Sequence, residues 1–594
     1  MRGVLAAAVL GTWAVLGAPA RAEPVRLAPV LVIAEDEKPA HATAVRRAPF
    51  RWQPDGARAI ARVPDEKDPA LEVTLTRAES NGTTTLTVDA EWRKPVWVHL
   101  AAVEFELPGE RARVIGRDLK PIDTRSAHLE RFDPKWISVE DPPATVLVDD
   151  TLDGVEVRAG AGRTTIRLEL DSADARPFLH DAHCAKLWRA PNRHLPTPAR
   201  LRVEHDRAAA RVQLRSDAVT PLAPARFPDG RRASLAISDH ADQSSARTLA
   251  VLARGLIAHH LAITKALFAH GADRPQLEQP EVEKLADELA AAGSEIVPHS
   301  ATPRPDDRAT TESALARFDR WRARTWIDHQ PETNCEAFGD QGFLVEGKFG
   351  IADLLAAHHY QYIWAEDDAQ PGDLNLLDPR RLDHRAPTVW PIGRLEANGP
   401  DSLWMFRSMW AFIEARRFYK MYGEDRLDKL ERERGLHIAH TYLETYHPKR
   451  TKFGLRNLFV PVDKHEKPGG AGEVALDPRF DALMASLEKR QARGTLWVPT
   501  IGELGDRLRA TAEVTLTLGA NGSVVVHAPR ALAGATFVVP IDKAVVEIAG
   551  HAPRGTAFSP NETTFWDDLP EGDTTIQITE RINRQDAKTP KNQK

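Results

Sequence analysis

The fold of this chain is decided by residues 225–303, which begin ARFPDGRRASLAISDHADQ and end AAAGSEIVPHSATP. Leu235 and Ile237 alternate along a short apolar run, and this pattern predicts a buried strand. A helix pattern follows, then a second apolar run at 261–268, a second helix pattern, and a third strand over 295–297. This order of elements implies parallel strands that are joined by right-handed crossovers.

Ionisable side chains stand where two of these predicted strands end. Asp239, His240 and Asp242 follow the first strand, and His299 follows the third. Functional sites of α/β sheets and barrels are built at the carboxyl ends of the parallel strands. Carboxylate and imidazole groups that converge there are typical of a metal centre, and neutral imidazole suits zinc. The sequence therefore predicts a metal site at this edge.

The same segment resembles the catalytic core of the polysaccharide deacetylases, carbohydrate esterase family 4. That family carries a first-strand motif of the type TFDDG and a later HSxxH. Here ISDHAD (237–242) and HSATP (299–303) stand at the two places, with His240 in place of the second aspartate and Pro303 in place of the second histidine. The resemblance covers residues 227–509. It implies a distorted (β/α) barrel and metal-dependent removal of acetyl groups from a polysaccharide.

The resemblance also implies roles for individual residues. Asp239 is expected to act as the general base or as a metal ligand. His440 ends the apolar run GLHIAHTY (435–442), which resembles the family's late motif, and is expected to be the catalytic acid. Pro303 has no side-chain donor, so other residues must complete the ligand set. The expected ligands of one divalent ion, zinc, are Asp239 or Asp242, His240, His299 and His329.

Other residues near predicted strand ends are candidates for contact with substrate. The loop RTWIDHQPETNCEAFGDQG (324–342) occupies the place where the family has a loop that shapes its active site. Tryptophan faces stack on pyranose rings, although a tryptophan is more often a core residue. The expected substrate-binding residues are Trp326, Asn334, Glu336, Trp364 and Trp390.

The chain is long enough, at 594 residues, for several domains. Residues 1–22 have the pattern of a secretory signal, with Arg2, an apolar centre and an A-x-A cleavage site at 20–22. The alternative, an uncleaved anchor, is disfavoured because a span needs about 20 apolar residues. The mature protein is therefore expected to be periplasmic or secreted. Residues 23–69 are expected to be a linker, and residues 581–594 a disordered tail.

Two segments alternate with period two and carry Asn-Gly hairpin signals, at Asn81-Gly82 and Asn521-Gly522. They predict β-sandwich-like domains at 70–215 and 511–580, on either side of a (β/α) barrel at 216–510. An open, doubly wound sheet is the alternative for the central domain.

Composition excludes several classes of protein. The net charge is −6 and arginines are dispersed among acids, so no nucleic-acid partner is expected. After residue 22 no segment is apolar enough for a stable membrane span. The two cysteines, Cys184 and Cys335, exclude a cysteine-rich scaffold and a structural zinc finger. They form one bridge or, as we expect, remain two buried thiols.

Two functions are consistent with these features of the sequence. The first is a metal-dependent hydrolase that removes acetyl groups from an extracellular or envelope polysaccharide. The alternative is a non-catalytic glycan-binding or envelope-scaffold protein that keeps the barrel, and the replacement of a ligand histidine by Pro303 favours it.

Overall fold

A computed structural model describes most of the chain. The described residues are 29–38, 41–63, 66–80, 82–94, 96–109, 111–115, 121–122, 127–129, 135–140, 144–149, 154–172, 200–202, 207–215, 219–271, 276–331, 334–367, 374–377, 388–391, 402–412, 414–452, 454–519 and 522–579. The expected signal segment, the expected C-terminal tail and Cys184 lie outside these residues.

The N-terminal region consists of antiparallel strands. They are β1 (Val30–Lys38), β2 (His41–Pro49), β3 (Arg51–Trp52), β4 (Arg58–Val63), β5 (Leu71–Ser80), β6 (Thr83–Trp92), β7 (Val96–Pro108), β8 (Arg111–Ile115), β9 (Pro121–Ile122), β10 (Ala127–Leu129), β11 (Lys135–Glu140), β12 (Ala144–Asp149), β13 (Gly154–Gly160), β14 (Arg163–Ser172), β15 (Arg200–Arg202) and β16 (Arg207–Arg215).

These strands form two sheets that share one hydrophobic core. One has the order β10-β13-β14-β7-β1-β2 with β15 beside β7, and the other has the order β3-β4-β5-β6-β16-β12-β11-β8-β9. Leu31 and Val103 of the first sheet and Val73 and Val88 of the second are fully buried in the common core. The hairpin predicted at Asn81-Gly82 is confirmed, since Ser80 pairs with Thr83 between β5 and β6.

The expectation of a linker over residues 23–69 is wrong for the part that the structure describes. Strands β1 to β4 occupy Val30–Val63, and β1 lies inside its sheet between β2 and β7. In β4, Ala59, Ala61 and Val63 are buried, and they alternate with positions that are partly or fully exposed. The N-terminal β-domain therefore begins about forty residues earlier than predicted.

The central region alternates strands and helices. Its elements are β17 (Ala223–Ala225), β18 (Ala233–Asp239), α1 (Ala246–Ala258), β19 (Thr264–Leu267), α2 (Pro280–Ala291), β20 (Glu295–Pro298), α3 (Arg308–Phe318), β21 (Thr325–Trp326), α4 (Ala352–Ala357), β22 (Tyr362–Asp367), β23 (Val389–Pro391), β24 (Trp404–Trp410), α5 (Ala415–Met421), α6 (Glu424–Arg432), β25 (Leu436–Thr441), β26 (Tyr446–Thr451), β27 (Gly454–Asn457), β28 (Phe459–Pro461), β29 (Val474–Leu476), α7 (Pro478–Ala492), β30 (Leu496–Trp497) and α8 (Ile501–Ala512).

Seven of these strands form a nearly closed parallel barrel. The order around it, β18-β19-β20-β21-β22-β24-β25, follows the chain, and β25 returns to pair with β18. A parallel bridge between His299 and Ile327 joins the ends of β20 and β21. The described strands therefore have the predicted barrel architecture, in place of the alternative, an open doubly wound sheet.

Local sequence signals account for the helices that follow the first strands. Ser245 and Thr248 form a capping box at the start of α1, and Pro280 occupies the first turn of α2, where its missing N–H has no helical partner to lose. Leu249, Leu252 and Leu256 give α1 one apolar stripe, and all three are buried against the barrel.

The C-terminal region adds two four-stranded antiparallel sheets. Its strands are β31 (Thr515–Leu518), β32 (Val524–Ala528), β33 (Leu532–Val539), β34 (Val545–Ile548), β35 (Gly555–Ser559), β36 (Glu562–Leu569) and β37 (Gly572–Thr579), and β17 joins the sheet of β33, β36 and β35. Their core includes Trp136 and Leu147 from the N-terminal sheets. Gln213 Nε2 also donates to Leu516 O at 2.6 Å, so the two β-regions contact each other directly.

Two further expectations concern the cysteines and membrane spans. Cys335 is disulfide-bonded, so the expectation of two buried thiols is wrong for this residue. Among the described residues, none of the helices has the length and apolarity that a membrane crossing requires.

Candidate metal centre at the barrel mouth

Histidines follow or end four barrel strands at one end of the barrel, which we call the barrel mouth. His240 follows β18, His299 follows β20, His329 lies three residues after β21, and His440 is the last residue but one of β25. All four are buried. Because the strands are parallel, their carboxyl ends meet at this mouth, as the sequence predicted.

Asp242 lies between two of these histidines. It belongs to one turn of 3-10 helix at Ala241–Gln243, directly after β18. His299 Nε2 lies 2.8 Å from Asp242 Oδ2, and His329 Nε2 lies 2.7 Å from Asp242 Oδ1. Burial alone would raise the pKa of Asp242, but its contacts with the two imidazoles hold it far below its usual range. The carboxylate is therefore ionised and shared by both rings.

The backbone after two of these histidines is tightly turned. Ser300 and Gln330 have φ values of 47° and 46°, in the left-handed region that residues other than glycine seldom adopt. Ser300 N donates to Ile327 O at 2.8 Å, and Ser300 Oγ accepts from His329 N at 2.9 Å. This strained serine fixes the loops of His299 and His329 relative to each other.

His240 and His440 form a stacked pair beside this cluster. Their ring centroids are 4.0 Å apart with an interplanar angle of 27°. Ser238 Oγ lies 3.1 Å from His240 Nε2, and the His240 ring meets the edge of His299 at 4.7 Å. Burial and the neighbouring rings of His440 and His299 hold the pKa of His240 well below its usual value, and burial also lowers the pKa of His299. Both rings are therefore neutral near pH 7, which is the form that binds metals.

The donor atoms are close enough together to hold one ion. One ligand atom each of His240, Asp242 and His299 lies within 4.8 Å of the other two. His329 joins this group through its contact with Asp242. A catalytic zinc takes about three nitrogen and oxygen ligands and keeps a position for water, so the side chains fit a divalent metal ion.

Aromatic side chains wall the cluster. Trp364 meets His240 and His440 edge-on at 5.2 and 5.0 Å, and Phe268 stacks on His299 at 5.0 Å. Trp410 pairs with His440 in register between β24 and β25, and its ring lies 4.9 Å from the imidazole. Tyr442 lies 5.0 Å from the His440 ring and 5.3 Å from the Trp410 ring. Trp410 and Tyr442 are half-buried, so they border the opening.

The expectation that Asp239 is a base or metal ligand is wrong. Successive residues of a strand point to opposite faces of the sheet. Because the Ser238 side chain faces the His240 ring, the Asp239 side chain points away from the histidine cluster. Asp239 Oδ2 accepts from Lys265 Nζ at 2.8 Å, and Oδ1 accepts from Thr441 Oγ1 and Leu443 N at 3.2 and 2.7 Å. Both of its oxygens are therefore occupied, and Asp242 takes the place expected for it.

Lys265 also contacts a second acid, Glu444, whose Oε1 lies 2.7 Å from Nζ. Lys265, Asp239 and Glu444 are completely or almost completely buried. Burial raises the pKa of Glu444 to about 7, against the opposing effect of the lysine. For Lys265, burial lowers the pKa, but the two carboxylates outweigh this effect and raise it. The triad joins β18, β19 and the segment after β25.

Three of the expected substrate-binding residues are buried supports, so that expectation is wrong for them. Trp326 is fully buried and its Nε1 donates to Asp328 Oδ1 at 2.6 Å. Asn334 Nδ2 donates to His329 O at 2.6 Å, which holds the histidine loop. Glu336 is fully buried. Trp364 does lie at the cluster, and the side chain of Trp390 is outside the described part of the structure.

Three carboxyl groups form a buried acidic cluster behind His329, for which the sequence has no direct signal. Asp306 accepts from the amides of Ala301 and Thr302, both at 2.9 Å, and so fixes the turn after His299. Burial raises the pKa of Asp328 to about 7. Burial raises the pKa of Glu336 to about 8 against the opposing effect of backbone hydrogen bonds, and the charges of Asp306 and Asp328 make a smaller contribution in the same direction as burial.

Comparisons with known proteins do not identify this chain. No family model and no curated protein matches it. Among solved structures, it is similar to the GH36 α-galactosidase AgaA of Geobacillus stearothermophilus, with 8% identity, a TM-score of 0.28 and coverage of 93% of this chain and 91% of that one. It is also similar to a polysaccharide lyase, with 10% identity, a TM-score of 0.19 and coverage of 32% of this chain. The chain spans 25% of that lyase. TM-scores this low carry no conclusion about this protein.

Proposed function

We propose that this protein is a metal-dependent hydrolase that removes acetyl groups from an extracellular or envelope polysaccharide. The observation that carries the proposal is the position of Asp242, whose two oxygens contact the Nε2 atoms of His299 and His329 at the barrel mouth. A carboxylate and two histidines are also the kinds of ligand used by the polysaccharide deacetylases, which this sequence resembles. The half-buried Trp410 and Tyr442 beside the cluster suit a sugar ring.

His240, Asp242 and His299, whose ligand atoms lie within 4.8 Å of one another, would hold the ion, with His329, which contacts Asp242, as a further donor. The neutral state of His240 and His299 leaves one unprotonated ring nitrogen on each. Zinc suits this set of nitrogen and oxygen donors, and iron(II) is also found with two histidines and one carboxylate. When bound, a divalent ion polarises the acetyl carbonyl and lowers the pKa of a water molecule.

Proton transfer falls to His440 in this proposal, because the oxygens of Asp239 are occupied by Lys265, Thr441 and Leu443. Water adds to the acetyl carbonyl carbon and gives a proton to the His440 imidazole. The bond from that carbon to the sugar nitrogen or oxygen then breaks. The imidazole returns the proton to the leaving atom, so the products are acetate and the free amine or hydroxyl.

One observation favours a second function, that of a non-catalytic glycan-binding protein on the same barrel. The residue at the family's base position, Asp239, is held in a buried ion pair with Lys265. A non-catalytic protein does not require a free carboxylate at the position of Asp239.

The test is metal analysis of the mature protein together with acetate release from a panel of acetylated glycans. The deacetylase proposal expects about one zinc per chain, and acetate release that stops after chelation and returns with added zinc. His440→Gln should keep the metal and lose activity by about a hundredfold or more. Stoichiometric metal without acetate release from any glycan, but with glycan binding, would favour the second function.

A further inference from the structure

A second feature of the barrel mouth is an exposed, positively charged hairpin. Strands β26 and β27 form an isolated two-stranded sheet directly after the segment that carries His440 and Tyr442. Its sequence, YHPKRTKFGLRN (446–457), contains four lysines and arginines and no acid. Strands such as β4 and β32 bury alternate side chains, but residues 447–450 of β26 are all exposed. Packing therefore does not explain the composition of this hairpin.

Helix α5 extends the positive charge. It packs against β27, where the backbone of Gly454 lies beside the Arg416 side chain. Its sequence, ARRFYKM (415–421), has three basic residues and no acid. We define the basic surface as the exposed residues Arg416, Lys420, Lys449, Arg450 and Lys452. Arg456 lies beside this surface and is 4.0 Å from Glu414, an acid at the start of α5.

This concentration of charge is costly to the free protein. Like charges that are crowded onto one small surface repel each other, and Lys449, Arg450 and Lys452 stand within one stretch of four residues. The chain as a whole is acidic, with a net charge of −6, and would repel a polyanion elsewhere. A bound polyanion would offset the repulsion within the hairpin.

The basic surface lies close to the metal centre along the chain. Tyr442, whose ring lies 5.0 Å from the His440 ring, is seven residues before Lys449, the first basic residue of the hairpin. Seven residues span at most about 25 Å. Helix α1 also links the metal centre to the hairpin. It begins four residues after Asp242, and the guanidinium of its Arg247 lies 5.6 Å from the ring of Tyr446, the first residue of the hairpin. A polymer a few sugars long reaches from one feature to the other.

We infer that the substrate is an anionic polysaccharide, whose carboxylate or sulfate groups are held by the basic surface while an acetylated sugar of the same strand lies at the metal centre. The inference rests on the proposed function, which supplies the acetylated sugar. The charge pattern supports the anionic character of the substrate, since a neutral glycan has no charged group that could pair with five exposed cations near the barrel mouth.

The test measures binding to polygalacturonate and to neutral dextran, at 50 and 300 mM NaCl, by calorimetric titration of the full-length mature protein. We expect polygalacturonate to bind more tightly than dextran and to weaken about tenfold or more at the higher salt concentration. The triple variant Arg416→Glu, Lys449→Glu and Arg450→Glu should lose at least about tenfold in affinity for polygalacturonate. The matched control, Arg254→Glu, Lys489→Glu and Arg493→Glu, changes the same charge on α1, on α7 and at the C-cap of α7, and should bind as the unmutated protein does.

Several outcomes would overturn the inference. They are equal binding of dextran and polygalacturonate, affinity that salt does not change, or a basic-surface variant that binds as its control does. Tighter binding of phosphatidylglycerol vesicles or of a DNA duplex at the same salt would assign the surface to another partner. Zinc content and acetate release, measured on both variants, report on the proposed function separately, because neither set of substitutions touches the metal centre. Thermal melts of both variants check that they remain folded, and the salt dependence of the unmutated protein needs no variant.

Discussion

The Nζ atom of Lys265 lies 2.8 Å from Oδ2 of Asp239, and neither side chain is exposed to solvent. Asp239 is next to His240 in sequence, yet the ion pair commits it to holding strands β18 and β19 together. The acid that contacts the histidines is Asp242, three residues later. Two aspartates of one short motif therefore have separate tasks, one in the stability of the barrel and one in the candidate metal centre.

This separation predicts different effects of two similar substitutions on metal affinity. Asp242→Asn keeps the shape of the side chain but removes the charge that holds a cation. We expect zinc affinity to fall by about a hundredfold or more, since even changes behind the ligands cost ten- to a hundredfold. Asp239→Asn, the matched control on the same strand end, should leave zinc affinity within a few-fold of the unmutated protein. Titration with a competing chelator measures both values, and a larger loss for Asp239→Asn would refute the assignment.

The buried triad predicts an order of stabilities. Lys265→Met leaves Asp239 and Glu444 facing each other without a cation, and we expect the free energy of unfolding to fall by about 3–5 kcal/mol. Asp239→Asn should cost less, because Lys265 keeps its contact with Glu444 at 2.7 Å. Urea unfolding of the metal-free proteins measures both changes. Equal losses, or a greater loss for Asp239→Asn, would mean that Glu444 does not share the lysine as described.

The barrel is predictable from the sequence because its signals are local and strong. Apolar runs of strand length, each followed by polar residues, mark β18, β20 and β25, and the parallel order then brings their ends together. The choice between Asp239 and Asp242 is not predictable in this way. It depends on which face of β18 Asp239 occupies, which a shift of one residue would exchange, and on the path of the 3-10 turn that carries Asp242.

Two other predictions are wrong for different physical reasons. Residues 30–63 are rich in alanine, arginine and proline, which is typical of a linker, and the weak apolarity of Ala59 and Ala61 hides the strand alternation that the structure contains. Trp326, Asn334 and Glu336 surround a strand end, which is typical of residues that contact substrate. Trp326 is buried as the last residue of β21, whereas the burial of Asn334 and Glu336 is set by the loop after β21, whose path has no signature in the local sequence.

Export is predicted from residues 1–22, which lie outside the described part of the structure. The pattern of residues 1–22, with cleavage after Ala22, leads us to expect a mature protein that begins at Glu23. Mass spectrometry of the protein purified from the periplasm or the culture medium measures the start directly. An Ala20→Leu variant should be processed more slowly, because the cleavage site requires small residues. Protein that keeps Met1 and stays in the cytoplasm would contradict the prediction.

The buried acidic cluster makes the stability of the fold depend on pH. The pKa of Glu336 is raised from an ordinary value of 4.5 to about 8, chiefly by burial. Between these two values the folded protein keeps a proton that the unfolded chain loses. Protonation therefore favours the folded state, and this contribution to stability is full below about pH 4.5 and is lost as the pH rises toward 8. Asp328, with its pKa raised to about 7, acts in the same direction.

Glu336→Gln removes the titrating group while keeping its size, so stability should fall less steeply with pH. We expect the slope between pH 5 and pH 8 to decrease in magnitude by up to about 1.4 kcal/mol per pH unit relative to the unmutated protein. Urea unfolding at pH 5, 6.5 and 8 measures the slope, and Glu281→Gln, at an exposed position of α2, is the matched control that should leave it unchanged. If Glu336→Gln gave the same slope as Glu281→Gln, Glu336 would already be ionised in the folded protein at pH 5, and its burial would have to be compensated by a cation or a water network near Asp306 and Asp328.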